Sequence, residues 1–133
     1  MTVRWRQFAA LALLTCAPSE AGAAAVEAHW VGNADEAVVC VVGPASKAIE
    51  REAGIVLTLV GRDGRRHGTE TVGEGKMPFP ARLPLPADWP VAGGRLTIEI
   101  GLCDPVAESC LPVELDLRIP DDRRSERPAG CGG

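Results

Sequence analysis

Two runs of sequence, GRLTIEIGLC at 94–103 and CLPVELDLRI at 110–119, alternate apolar with polar residues. A period of two is typical of half-buried β-strands, whose side chains point to opposite faces in turn. Only six residues, DPVAES, join the runs, and so short a connection pairs strands antiparallel. The sequence therefore predicts a β-hairpin in which Cys103 and Cys110 face each other beside the connecting loop. Residues opposed in this way lie within reach of a disulfide bond.

Further short strands at roughly even spacing predict an all-β fold. Apolar or alternating runs occur at 26–32, 36–42, 54–61 and 79–86. The prolines of the last run confine it to a sheet edge or to a non-pairing side of the strand. Between these runs, 46–54 is either one or two helical turns or a polar loop, and 65–80 is a loop or an irregular strand. Six or seven such strands without a long amphipathic helix predict one immunoglobulin-like β-sandwich over 26–120.

The N-terminal segment 1–25 has the order of an export signal. Arg4 and Arg6 precede the apolar run 8–14, and small residues follow. The apolar run is too short to span a membrane. We expect a periplasmic or secreted protein.

Two ways of processing this signal remain open. One is cleavage near Ala-Gly-Ala at 21–23, and the other is lipid attachment at Cys16, because the preceding Leu-Leu-Thr resembles a bacterial lipobox. The second would anchor the protein to a membrane through its lipid. At the other end, 121–133 has no apolar periodicity and is predicted to be a disordered tail.

Composition narrows the function classes. The formal net charge is −4 and aromatic residues make up 4% of the chain, so neither a basic stripe nor stacking platforms for nucleic acid are expected. No phosphate loop, zinc pattern or Ser/His/Asp arrangement occurs, and we expect no cofactor. An exported chain meets oxidising conditions, in which paired cysteines form disulfides.

The five cysteines become four if Cys16 leaves with the signal. Cys40 lies in the apolar run AVVCVV and is expected to pack in the core as a small hydrophobe. Three roles remain open for Cys131: a free thiol, an intermolecular partner, or a bridge to Cys40.

The hairpin cysteines have two chemical interpretations. A bridge closing eight residues contributes only about 2.5 kcal/mol by loop entropy, so a permanent staple here adds little, and a reversible redox pair is an equal alternative. Asp104 and Glu108 either raise the thiol pKa by their negative charge or point into water without effect. A third hypothesis is a copper-handling site, with soft-metal ligands drawn from His29, His67, Met77 and the cysteines.

Residues 78–120 carry a family resemblance. A Leu-rich strand with Leu83 is followed by a glycine turn, a small residue before the first cysteine, an acidic residue after it, and an apolar residue with proline after the second cysteine. These residues are Gly93, Gly94, Gly101, Cys103, Asp104, Cys110, Leu111 and Pro112. The pattern resembles the disulfide bond corrector domain family, the immunoglobulin-like N-terminal module of the thiol:disulfide interchange protein DsbD.

The resemblance implies that Cys103 and Cys110 form a redox pair. In that family such a pair receives electrons from a membrane-embedded donor and passes them to periplasmic thioredoxin-like proteins. A partner is expected to dock over Leu111, Pro112 and the hairpin tip. The family covers its cysteines with an aromatic loop, which suggests Phe79 or Met77 as a cover, although core packing is the alternative for Phe79. The competing class is a secreted binding or structural domain with a permanent Cys103–Cys110 bridge.

Overall fold

The computed structural model describes residues 26–106, 108–126 and 131. The predicted signal segment, with both of its processing sites, lies outside the described residues. Within them the chain forms nine strands and no helix. They are β1 Glu27–Trp30, β2 Val38–Val42, β3 Ala48–Glu50, β4 Ile55–Val60, β5 Arg66–Thr71, β6 Lys76–Pro78, β7 Ala81–Pro84, β8 Arg95–Asp104 and β9 Ser109–Arg118.

The strands form two antiparallel sheets. The smaller has the order β1-β2-β7, with the proline-containing β7 at its edge as predicted. The larger is built on β8, which pairs with β9 along one side. On its other side, residues 95–99 of β8 pair with β4 and residues 101–103 pair with β3. β5 continues the sheet beyond β4, and β6 continues it beyond β3.

The core lies between the sheets and follows the predicted alternation. Leu96, Ile98 and Ile100 of β8 are buried, while Arg95 and Glu99, on the opposite face, are exposed. The smaller sheet contributes buried side chains from β1, β2 and β7 and the residue after β7, namely Trp30, Val39, Val41, Ala81, Leu83 and Leu85. Burial of one face of each sheet against the other confirms the predicted all-β sandwich.

Two tight turns join neighbouring strands. Asn33 Oδ1 accepts hydrogen bonds from the backbone N–H groups of Asp35 and Glu36, at 2.8 and 2.9 Å, and β1 pairs with β2 across this turn. Gly64, with φ +83°, occupies the left-handed region between β4 and β5. An L side chain rarely adopts that conformation, so glycine suits the turn of this hairpin.

Three short strands occupy segments whose structure the sequence left open. β3 lies in 46–54, for which helical turns or a polar loop were considered. It is three residues long, so its alternation gives almost no periodic signal. β5 and β6 both lie in 65–80, which agrees with the irregular-strand alternative for that segment. β5 is largely exposed because it is an edge strand.

Residues 121–126 have a defined position against β1, which differs from the predicted disordered tail. Glu126 N–H donates to the Trp30 carbonyl at 2.8 Å, and Trp30 N–H donates to Glu126 Oε1 at 3.1 Å. The Trp30 indole N–H donates to the Arg123 carbonyl at 3.0 Å. These bonds fix a polar segment that hydrophobic periodicity cannot detect.

Cys40 forms a disulfide with Cys131. In β2, Cys40 is in register with His29 and Arg82, whereas its neighbours Val39 and Val41 point into the core. It therefore lies on the outer face of the smaller sheet, and the prediction that it packs as a free core cysteine was wrong. Its side chain is nevertheless fully buried, and Cys131, to which it is bonded, is buried as well. Of the three roles left open for Cys131, the structure shows the bridge to Cys40.

A surface disulfide as the candidate functional site

Cys103 and Cys110 form a disulfide between β8 and β9, as the hairpin pattern predicted. The two residues are directly opposed, and their Cα atoms are 4.0 Å apart. Cys103 is fully buried because β8 is an interior strand, with Cys110 on one side of it and Ala48 of β3 on the other. Cys110 lies on the outermost strand and is exposed. The pair therefore presents one cysteine to solvent and shields the other.

The backbone of Cys110 is also available to a partner. Opposed residues in antiparallel strands alternate between hydrogen-bonded pairs, about 5.5 Å apart, and closer pairs that do not bond each other. The short Cα distance places Cys103 and Cys110 in the second class, so the N–H and C=O groups of Cys110 point away from β8. Pro112, two residues on, has the same orientation, which suits a residue that has no N–H to donate.

A shallow groove of about 340 Å³ lies beside Cys110 on the outer face of the larger sheet. It exists because Gly101, opposite Pro112, has no side chain to fill it. Leu111 borders the groove and is 69% exposed, so it adds apolar surface beside Cys110. Val56, Glu99, Ile100 and Pro112 also line it. The predicted docking residues Leu111 and Pro112 thus lie next to the exposed cysteine.

The Glu50 carboxylate lies beside the disulfide, and the sequence did not reveal it. A Glu50 carboxylate oxygen and the two sulfur atoms of the disulfide lie within 4.8 Å of one another. β3 positions it, because Glu50 is in register with Gly101, two residues from Cys103 on the same face. No local spacing could reveal this contact, since β3 is far from the hairpin in sequence and its three residues carry no strand signal.

Glu50 is held in its ionised form. Its pKa is lowered chiefly because the backbone N–H of Glu52 donates a hydrogen bond to Glu50 Oε1 at 2.9 Å. Desolvation opposes this effect, and the positive charge of Lys76, whose Nζ lies 3.5 Å from Glu50 Oε2, adds to it. A negative charge therefore faces the disulfide at neutral pH. On reduction, such a charge disfavours the thiolate and raises the thiol pKa.

The two acidic residues singled out from the sequence lie in the connecting loop. Asp104 Oδ2 is 3.6 Å from Lys47 Nζ, and Asp104 Oδ1 accepts a hydrogen bond from the Val106 N–H at 3.0 Å. Glu108 is exposed and has a φ of 55°. Neither belongs to the cluster of Glu50 with the two sulfurs. Lys47 partly offsets the charge of Asp104, so the effect of these two residues on the thiols stays a prediction.

Phe79 and Met77, considered as covers for the cysteines, pack against the core. Met77 is in register with the buried Ile49, and the Phe79 ring lies so close to Gly43 that an added Cβ there would meet it at 2.7 Å. This packing matches the core alternative for Phe79.

The histidines proposed as soft-metal ligands lie apart from the disulfide. His29 is on β1 of the smaller sheet, where its ring contacts the carboxylates of Glu27 and Glu126 at 3.2 and 3.4 Å. His67 is on the edge strand β5, with its ring 6.0 Å from that of Trp89. Neither histidine belongs to the cluster of candidate ligands around Cys103 and Cys110 in the described residues.

Together these features define a β-sandwich domain with one partly exposed and one buried disulfide. Comparison of the chain with family models, with curated proteins and with solved structures found no match. Among the described residues there is also no helix with the length and hydropathy needed to cross a membrane.

Proposed function

We propose that this domain is a thiol:disulfide exchange module of an exported protein, in which Cys103 and Cys110 cycle between disulfide and dithiol. The observation that carries the proposal is the asymmetry of the pair. Cys110 is exposed beside an apolar groove, whereas Cys103 is buried behind it. A permanent staple does not need an exposed partner or a neighbouring groove. The resemblance of residues 78–120 to the disulfide bond corrector domains supports the same function.

The exchange begins at Cys110, because its sulfur belongs to the exposed residue. A partner thiolate attacks Cys110 Sγ, the Cys103–Cys110 bond breaks, and Cys103 leaves as a thiolate that takes up a proton. The partner's second thiolate then attacks the mixed disulfide, and Cys110 leaves as a thiolate that is protonated in turn. The partner dithiol has become a disulfide and this domain has gained two electrons and two protons. The reverse sequence passes them to an oxidised partner.

The partner class is proposed from the shape of the site. A thioredoxin-like protein can place an extended loop along the exposed backbone of Cys110 and an apolar surface over Leu111 and Pro112. A membrane-embedded donor as the source of the electrons is proposed from the resemblance alone. Export, and either cleavage at 21–23 or lipid attachment at Cys16, complete the proposed context, since exchange of this kind belongs to an oxidising compartment.

The test is to trap the mixed disulfide in cells. Cys103→Ala leaves the exposed thiol unable to close internally, so it should accumulate covalent adducts with thioredoxin-like proteins. Cys110→Ala, which keeps only the buried thiol, is the matched control and should accumulate at least about tenfold less, because a buried sulfur is hard to attack. Equal trapping by both variants, or none by either, would favour the permanent bridge.

Gly101→Val tests whether the groove is used for docking. Gly101 does not have a positive φ, and an added Cβ would make only ordinary contacts with Glu50 and Ala53, at 3.6 and 3.9 Å. The variant should therefore fold normally but fill the groove. We expect slower exchange with a thioredoxin-like protein and an unchanged rate with a small dithiol. If Gly101→Val and the parent exchange with the thioredoxin-like protein at equal rates, the partner docks elsewhere.

The two adjacent sulfurs favour a second candidate, binding of Cu(I) by the reduced pair. Thiolates are preferred ligands of this soft ion. The two thiolates would hold the ion, because the nearby Glu50 carboxylate is a hard donor and the histidines lie apart from the pair. Titration of the reduced domain with Cu(I), with Cys110→Ala as control, decides between the two functions. Binding tight enough to outlast a competing chelator would support copper handling.

A further inference from the structure

A second cavity lies away from the disulfide, in the seam between the two sheets. It encloses about 180 Å³ and is lined by residues from both sheets. Its apolar floor consists of Ile55 and Leu57 of β4 and Leu83 of β7, all of which are buried. Met77 of β6 forms a half-buried wall. An apolar cavity of about 150 Å³ is large enough to bind benzene, so this one can take an apolar group of about six or seven carbons.

Two arginines line this otherwise apolar cavity. Arg82 of β7 is exposed and borders the cavity from the outer face of the smaller sheet. Arg51 is partly buried and borders it from the segment after β3. Neither guanidinium forms an ion pair with a carboxylate in the described part of the chain. Positive charge that no carboxylate neutralises attracts an anion to this cavity.

The backbone holds Arg51 in this position. Its N–H donates to the Gly75 carbonyl, and its carbonyl accepts from the Gly73 N–H, each at 3.1 Å. Its side chain runs beside Gly73, where an added Cβ would lie 3.6 Å from the Arg51 Cβ and Cδ atoms. The backbone of Arg51 and the start of its side chain are thus anchored beside the cavity before any ligand arrives.

We propose that this cavity binds a linear monocarboxylate of about seven or eight carbons, with the tail on the apolar floor and the carboxylate between the two arginines. A guanidinium presents a planar set of donors that matches a carboxylate. The small apolar volume selects against larger or more highly charged anions. This site does not share residues with the disulfide, so it stands independently of the exchange function.

The full exported chain, with both disulfides formed, is titrated with a series from butanoate to decanoate. Binding is followed by calorimetry and by amide NMR shifts. We expect octanoate to bind with a dissociation constant on the order of 0.1 to 1 mM, which is reasonable for a ligand of this size. Shifts should concentrate at the residues of the cavity. 1-Octanol should bind at least about tenfold more weakly, because it lacks the charge that the arginines recognise.

Variants separate the head and the tail of the ligand. Arg51→Met keeps the aliphatic stem and should weaken octanoate binding about tenfold. Arg66→Met removes an equal charge from β5 outside the cavity and should leave binding unchanged. Thr71→Trp, at a partly solvent-facing lining position, should block the cavity. The proposal is overturned if octanoate causes no shifts at the cavity, if octanol binds equally well, or if the Arg66 variant loses as much affinity as the Arg51 variant.

Discussion

Cys103–Cys110 joins positions seven apart within one hairpin, whereas Cys40–Cys131 joins positions 91 apart and ties the C-terminal segment to the smaller sheet. One residue of the first bridge is exposed, and both residues of the second are buried. Loop entropy makes the long bridge worth about 4 to 5 kcal/mol and the short one about 2.5 kcal/mol. The difference teaches that the two bridges contribute unequally to stability, so the short one is the one that the proposed exchange can open without loss of the fold.

The largest expected effect comes from removing the long bridge. Cys40→Ala with Cys131→Ala should lower the free energy of unfolding by about 4 kcal/mol, or the melting temperature by roughly 15 to 30 °C. Cys103→Ala with Cys110→Ala is the matched control and should lose no more than about half as much. Thermal melts of both double variants measure the difference. Equal losses would remove the distinction between a structural and an exchangeable bridge.

Chemical reduction should separate the two bridges by rate. Under native conditions a small dithiol should open Cys103–Cys110 at least about tenfold faster than Cys40–Cys131, because the buried bridge reacts only after local unfolding. Alkylation and mass analysis at timed intervals identify the free thiols. The domain should keep a cooperative melting transition after the short bridge alone is reduced. Loss of the cooperative transition would show that the fold depends on the hairpin disulfide.

Glu50 should tune the reduced pair. Glu50→Gln removes a negative charge from beside the sulfurs, so the thiol pKa should fall and reaction with a small disulfide near neutral pH should become about three- to tenfold faster. Lys76→Met should have the opposite effect, because it removes the cation that offsets Glu50. The curve of reaction rate against pH should shift to lower pH for Glu50→Gln and to higher pH for Lys76→Met.

The loop carboxylates provide the comparison for this effect. Asp104→Asn with Glu108→Gln should also speed the reaction if these residues act on the thiols, but by less than Glu50→Gln, because Lys47 pairs with Asp104. A larger effect from the loop pair would mean that Glu50 does not dominate the electrostatics of the site.

The smallest expected effect is on acid stability. The pKa of Glu50 in the folded chain lies below its ordinary value of 4.5, so the ionised carboxylate stabilises the fold above that pH. This contribution is lost as the pH falls through the folded pKa. Glu50→Gln should therefore be slightly less stable than the parent at neutral pH and equal to it in strong acid. Denaturant titrations from neutral pH to strong acid measure the difference in the free energy of unfolding between the variant and the parent. A difference that grows as the pH falls would contradict this prediction.

Periodicity predicted the parts of the molecule that rest on repeated local signals. β8 and β9 alternate over ten residues each, so their pairing and the opposed cysteines could be derived from sequence. The same reasoning failed at Cys40, because an apolar run does not show which face of a sheet will later be covered. It also missed Glu50, whose position depends on the pairing of β3 with a strand that lies far along the chain.

Pro112 has a further consequence for how the domain behaves among other chains. β9 is a ten-residue strand at the margin of its sheet, and such margins can recruit foreign strands into aggregates. The pyrrolidine ring interrupts the outward row of amide donors, so a foreign strand cannot pair along the whole length. Cys110 lies just before this interruption. The domain can thus offer a short stretch of backbone for a brief encounter while resisting polymerisation along the same strand.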